Sequence, residues 1–107
     1  MSKAEIFAGG CGFTTVVKAR MNGKSCHLEI ESECKAIQRL AENLPEVNPF
    51  QEISFRREGP LTMKMASQYC THAACPVPAG IIKAVEVEAK LALPVDVSIH
   101  LSRTDEP

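Results

Sequence analysis

The stretch Thr14-Thr15-Val16-Val17-Lys18-Ala19-Arg20-Met21-Asn22-Gly23-Lys24-Ser25-Cys26-His27-Leu28-Glu29-Ile30-Glu31 decides the fold. Two runs that alternate apolar and polar residues flank Asn22-Gly23, a dipeptide favoured in two-residue hairpin loops because Gly adopts positive φ freely and Asn tolerates it. Closing the turn on that pair sets Val17 opposite Leu28, Ala19 opposite Cys26 and Thr15 opposite Ile30. On the other face Lys18 meets His27 and Val16 meets Glu29. The first face is apolar and the second polar, as a half-buried antiparallel sheet requires. Cys26 is therefore read as a core residue, His27 as solvated, and Lys18, Arg20, Glu29 and Glu31 as cross-strand surface charges.

Working outward, Ala4 to Ala8 adds a first strand ahead of the hairpin. Past Ser32 the period changes: Ile37, Leu40, Ala41 and Leu44 recur at helical spacing until Pro45, which predicts an amphipathic helix over 34–44. Asn48, Pro49 and Gln51 read as a capped helix start with Gln51 as reciprocal partner, opening a short helix to about Phe55. Gly59-Pro60 breaks it. Residues Leu61 to Tyr69 fit either period and are read as helix. Pro76 and Pro78 precede a helix carried by Ile81, Ile82, Val85 and Ala89, ending before Pro94. Val95, Val97, Ile99 and Leu101 then alternate with Asp96, Ser98, His100 and Ser102, which predicts a closing strand with His100 on its polar face, followed by a tail that frays from Arg103. The sum is a single domain over 1–107: an α+β two-layer sandwich, a mostly antiparallel sheet with helices packed on one face.

Composition narrows the function classes. A chain of 107 residues with 45% hydrophobic and 23% charged residues has the balance of one folded domain, not of a disordered or membrane-spanning one. Its longest apolar run is too short for a transmembrane helix. The start Met1-Ser2-Lys3-Ala4-Glu5 lacks the pattern of a secretory signal, so the expected address is cytoplasmic. A net charge of -1, with no basic cluster beyond Arg56-Arg57, argues against nucleic acid and anionic membranes as partners. Glycines 9–12 do not make a phosphate loop, since neither the Lys-Ser/Thr end nor a following helix is present.

The five cysteines are the chemically informative residues. In a reducing compartment they point to metal ligation, redox chemistry or packing rather than a disulfide framework. Cys11 sits in Ala8-Gly9-Gly10-Cys11-Gly12, where the glycines admit a sharp bend and close approach of a bulky group. Cys34 opens one helix and Cys75 precedes another, where unpaired backbone N–H groups and the macrodipole favour a thiolate. Cys70 and His72 lie beside Cys75 in Tyr69-Cys70-Thr71-His72-Ala73-Ala74-Cys75-Pro76. Thiolate and imidazole together suit zinc, ferrous iron and iron-sulfur clusters. Met63 and Met65 are read as core fillers.

A Gly-Cys-Gly loop, an Asn-Gly hairpin, a second cysteine opening a helix and a third opening a late helix resemble the NifU/IscU-type iron-sulfur cluster scaffold. The separations of 23 and 41 residues between Cys11, Cys34 and Cys75 are similar to that family's, as are Cys34-Lys35-Ala36-Ile37 and Ile81-Ile82-Lys83-Ala84. The likeness runs from about Ala8 to Leu91 and implies Cys11, Cys34 and Cys75 as cluster ligands, with His72 or Cys70 as a fourth. The chain departs from that pattern in several places. Phe13 replaces the family's aspartate after Gly-Cys-Gly, and Ala74 stands where its histidine precedes the third cysteine. Pro60-Leu61-Thr62-Met63-Lys64 lies too far upstream to match the chaperone-docking motif, and the strand from Val95 is an addition. Cys75-Pro76 also resembles the TSCPD type of small cysteine-containing domain attached to some ribonucleotide reductases.

Three functions follow as expectations. The first is a non-catalytic protein that binds zinc or an iron-sulfur cluster through Cys11, Cys34 and Cys75, for cluster assembly, transfer or sensing, with a donor or acceptor protein as partner. The second is a thiol enzyme with Cys75 or Cys70 as nucleophile, His72 as base and Cys34 as resolving thiol. The third is an interaction module with packed cysteines. A homodimer through the sheet edges near the termini is compatible with each.

Overall fold

The computed structural model describes residues 1–105. Along the chain it forms β1 (Ser2–Phe7), β2 (Thr14–Asn22), β3 (Ser25–Glu31), α1 (Lys35–Glu42), β4 (Glu46–Val47), α2 (Pro49–Glu52), α3 (Leu61–Tyr69) and α4 (Val77–Glu88). The strands pair antiparallel in the order β1-β2-β3-β4. α4 packs on β1 and β2, and α1 packs on β3 and α3. The α+β two-layer sandwich read from the sequence is the observed architecture.

The hairpin forms with a register two residues away from the expected one. Asn22 pairs with Ser25, so Val17 faces Ile30, Ala19 faces Leu28, Met21 faces Cys26 and Lys18 faces Glu29. The central turn residues are Gly23 and Lys24, and of the two only Gly23 has positive φ (65°). That is the pattern of a type II′ turn, which wants Gly first, whereas centring the turn on Asn22-Gly23 requires Asn to adopt positive φ as well. A shift of two keeps every side chain on its predicted face. Val17, Ala19, Cys26 and Leu28 therefore still enter the core, with Ile37, Leu40 and Leu44 of the α1 segment, Val47, and Val77, Ile81, Ala84 and Val85 of α4. The opposite face carries charge, with Arg20 across from His27 and His27 Nε2 3.1 Å from Glu46 Oε2.

Helix α4 runs antiparallel to β1. Gly80 near its start lies against Ile6, where a Cβ would collide with the Ile6 side chain. Near its end, Glu88 accepts hydrogen bonds from the Ser2 hydroxyl (2.9 Å) and the Met21 N–H (3.1 Å). Those contacts, and the Met1 amino group at 3.5 Å, hold the Glu88 carboxyl below the usual glutamate range, the Met21 N–H contributing most. The helix closes with Lys90 N–H to Val87 O (3.1 Å) and Leu91 N–H to Glu86 O (2.8 Å), with Lys90 left-handed at φ 63°. This is a Schellman closure with lysine where glycine is usual.

Two expectations are corrected, and one element is new. The Val95–Leu101 strand does not form: the segment carries no ladder, and its four apolar side chains are between 64% and 91% exposed. Its alternation supplies a face to bury, but no strand of the same chain is paired with it. The second helix ends at Glu52 rather than near Phe55. Asn48 does cap it, accepting from Phe50 N–H at 3.0 Å, but the Gln51 amide donates to Gly59 O (3.3 Å) instead of completing a capping box. A short strand, β4, pairs with β3 through Cys26–Val47 and His27–Glu46 and was not anticipated. Arg103–Asp105 are exposed and without regular structure, and the remainder of the tail expected to fray lies outside the described residues.

Candidate functional site

The topology gathers one end of the sandwich. The β1–β2 loop, the exit of β3, the start of α1 and the start of α4 all lie at the end opposite the Gly23-Lys24 turn, because β1 and β3 run toward it, β2 runs away from it, and α4 begins beside Ile6. Four of the five cysteines stand on these segments or on the α3–α4 connection between them. The fifth, Cys26, faces Met21 near the other end and is fully buried in the core. Burial, then the Glu88 charge, push its thiol up from the ordinary range.

Cys34 is the N-cap of α1, in an extended conformation, and its side chain caps nothing. Ser32 fixes it in place. The Ser32 hydroxyl accepts from the Cys34 N–H (3.1 Å) and from the buried Thr15 hydroxyl (2.9 Å), while its carbonyl accepts from the Gln38 amide (2.7 Å). Cys70 ends α3, its N–H donating to Ala66 O at 2.8 Å. A turn then brings Cys75 N–H to His72 O (3.2 Å), and α4 begins at Val77 behind Pro76.

Cys34, Cys70 and Cys75 are each half-buried against the core. Cys70 lies near enough to the other two to sense their charge. Burial pushes the Cys70 thiol up from its ordinary range, and the neighbouring Cys75 and then Cys34 push it further. Burial is the larger cause; the rest is repulsion, since a neighbouring thiolate disfavours a second negative charge at Cys70. Cys34 and Cys70, 36 positions apart in the chain, are thus neighbours because α1 packs on α3, and α3 in turn packs on α4.

Cys11 is exposed at the tip of the β1–β2 loop. That loop is closed by Ala8 N–H to Phe13 O (3.0 Å) and Gly12 N–H to Gly9 O (2.8 Å), with Gly9 and Gly12 both at positive φ. It sits at the same end as the other three but is not among the charges that Cys70 senses. His72 is exposed on its turn. Among the described residues, no group of three His, Cys, Asp or Glu side chains stands as a ready-made metal site. The structure thus sets Cys70 near both Cys34 and Cys75 and leaves Cys11 and His72 exposed on their loops, without closing a ligand cage among the described residues. Sequence reasoning missed Ser32 and Thr15, whose hydroxyls pin the start of α1 to the start of β2. The available signal was a serine two residues ahead of a helix N-cap, the pattern of a side chain that accepts from the N–H two residues on.

Within the described residues, no helix is long and apolar enough to cross a membrane. No curated protein and no solved structure matches the chain. Residues 2–101 match the model of a family of unknown function, DUF6951, and the chain belongs to that family.

Proposed function

We propose that the protein binds a thiophilic metal ion or an iron-sulfur cluster through Cys34, Cys70 and Cys75, with Cys11 or His72 as a further ligand. The observation that carries this reading is the approach of three half-buried thiols from separate parts of the chain, with Cys75 and Cys34 both near enough to Cys70 for their charges to raise it. A bound cation reverses that repulsion: it favours the deprotonated thiols that it ligates, and binding releases their protons. Each candidate ligand lies at an element end or in a loop, where a side chain turns inward with little disturbance of the core. Ligation here means a local closure of the 8–13 loop and the 70–76 connection. Ser32 positions Cys34 for it. Zinc or an iron-sulfur cluster suits such a donor set, and the same surface serves transfer to or from a partner protein.

The test is metal and labile-sulfide analysis with an absorption spectrum, on protein purified and reconstituted without oxygen. Stoichiometric zinc, or iron with sulfide, lost in Cys34→Ser, Cys70→Ser and Cys75→Ser but kept in Cys26→Ser, is the expected result. Ser32→Ala is expected to weaken binding while leaving the fold intact. Equal metal content in all four cysteine variants overturns the proposal. The nearness of the three thiols also favours a second reading, a dithiol redox centre with Cys70 or Cys75 as the attacking sulfur. Metal-free protein that forms a reversible Cys34, Cys70 or Cys75 disulfide with oxidised glutathione would establish that reading instead.

A further inference from the structure

The C-terminal segment presents a strand without a sheet, and β1 presents a sheet edge without a strand. Val95-Asp96-Val97-Ser98-Ile99-His100-Leu101 alternates apolar with polar residues and is rich in β-branched side chains, the composition of a half-buried strand. Yet Val95, Val97, Ile99 and Leu101 are 73%, 64%, 77% and 91% exposed. At the other side of the same region, β1 is the first strand of the order β1-β2-β3-β4, so its outer backbone groups are unpaired within the sheet. Exposed edges of this kind invite pairing. Between β1 and α4 runs a groove of about 840 Å³ lined by Ala4, Ile6, Ala84 and Val87, with Lys3, Glu5 and Lys83 on its walls. The segment itself starts there, since Pro94 to Val97 form part of the same lining. Beyond that start Ile99 and Leu101 are no longer part of the lining and stand largely exposed.

We infer that the protein is a strand-exchanged homodimer, in which Val95–Leu101 of each copy pairs with the β1 edge of the other and lays its apolar face into the β1–α4 groove. The inference is independent of the cysteine site. The occupant is a second copy because donor segment and receiving groove adjoin on one surface, the arrangement that a two-fold axis closes reciprocally. The area fits as well. Four apolar side chains at roughly 100 Å² each, on two arms and with the surface they cover, bury on the order of 1,600 Å², the size of a standard stable interface. Asp96 is the only formally charged residue of the segment, and the groove edge carries Lys3, Glu5 and Lys83; Lys3 pairs with Glu5 at 3.1 Å, which leaves Lys83 to balance Asp96.

The experiment is sedimentation equilibrium of the full-length chain across a dilution series, beside the double variant Val97→Asp/Ile99→Asp. It is paired with isotope-filtered NMR on a mixture of labelled and unlabelled copies. The expected result is a dimer for the natural sequence, a folded monomer for the variant, and intermolecular contacts from Val97 and Ile99 methyls to Ala4 and Ile6. In a monomer those two side chains are exposed, so the variant's loss of self-association without loss of its circular dichroism separates an interface from a folding role. A natural sequence that stays monomeric, a dimer that survives the double substitution, or arm contacts confined to one and the same copy each overturns the inference.

Discussion

At the scale of single residues, Glu52 carries more of the structure than its place in a four-residue helix suggests. Its carboxylate is 1% exposed and accepts from Leu61 N–H (2.7 Å), Thr62 N–H (2.9 Å) and the Thr62 hydroxyl. It therefore satisfies the orphan donors at the start of α3, where Pro60 in the N-cap position offers no side-chain acceptor. Replacing Glu52 with Ala leaves three donors facing an apolar interior. Unfolding by urea is expected to show a loss of about 3 kcal/mol or more, with Thr62→Val costing less because the two backbone bonds survive. None of this was legible in the sequence. The capping carboxylate lies nine residues before the helix it caps, across a Gly59-Pro60 break, and no local pattern marks such a pairing. The cysteine group was legible in part for a related reason. Cys34 and Cys75 were marked by their places at helix starts, whereas the company of Cys70 depends on how α1, α3 and α4 pack.

At the scale of elements, periodicity was the reliable guide and pairing the unreliable one. The alternation around Asn22 gave the correct faces of β2 and β3 but the wrong partners, because the turn chemistry was centred one residue early, on Asn22-Gly23 rather than Gly23-Lys24. β4 is two residues long, too short for any period, and is held by its pairing with Cys26 and His27. The alternation of 95–101 led to a strand that does not form, because periodicity shows a face to bury but not whether the chain's own sheet offers an edge that takes it. α4 shows what a helix end does under constraint. Lys90 holds a left-handed conformation that disfavours side chains with a Cβ, while the Schellman bonds require it. Lys90→Gly is expected to raise stability by about 0.5–1 kcal/mol in thermal or urea unfolding, since the strain relieved exceeds the extra chain entropy lost. Lys90→Val should have the opposite sign.

At the scale of the whole molecule, Glu88 ties folding to pH on the acid side, and the raised thiols of Cys26 and Cys70 tie it on the alkaline side. Glu88 joins the end of α4 to β1 and β2, and its carboxyl is held below the usual 4.5. Its contribution is present above that value and lost as pH falls through the lower, folded-state value. The Cys26 thiol is raised above its usual 9.0 by burial and by Glu88. Its contribution is intact below that value and lost as pH rises above it, when the unfolded chain ionises first. Urea midpoints measured across pH are expected to form a plateau that drops on both flanks. Glu88→Gln should flatten the acid flank, and Cys26→Ala should make the alkaline one shallower, with Cys70 keeping the remainder, although Cys26→Ala also lowers the plateau by opening a small cavity.

The burial of Cys26 also changes the parity of the thiols. Five cysteines is an odd number, and in an unfolded chain one of them always lacks a mate. Folding seals Cys26 between β2, β3 and β4 and leaves Cys11, Cys34, Cys70 and Cys75 at the far end, so the set open to chemistry is even. A native chain titrated with a thiol reagent is expected to count four, and a fifth only on unfolding. Core packing at one end of the sheet thus keeps an unmatched sulfur away from solvent, metal and oxidant alike.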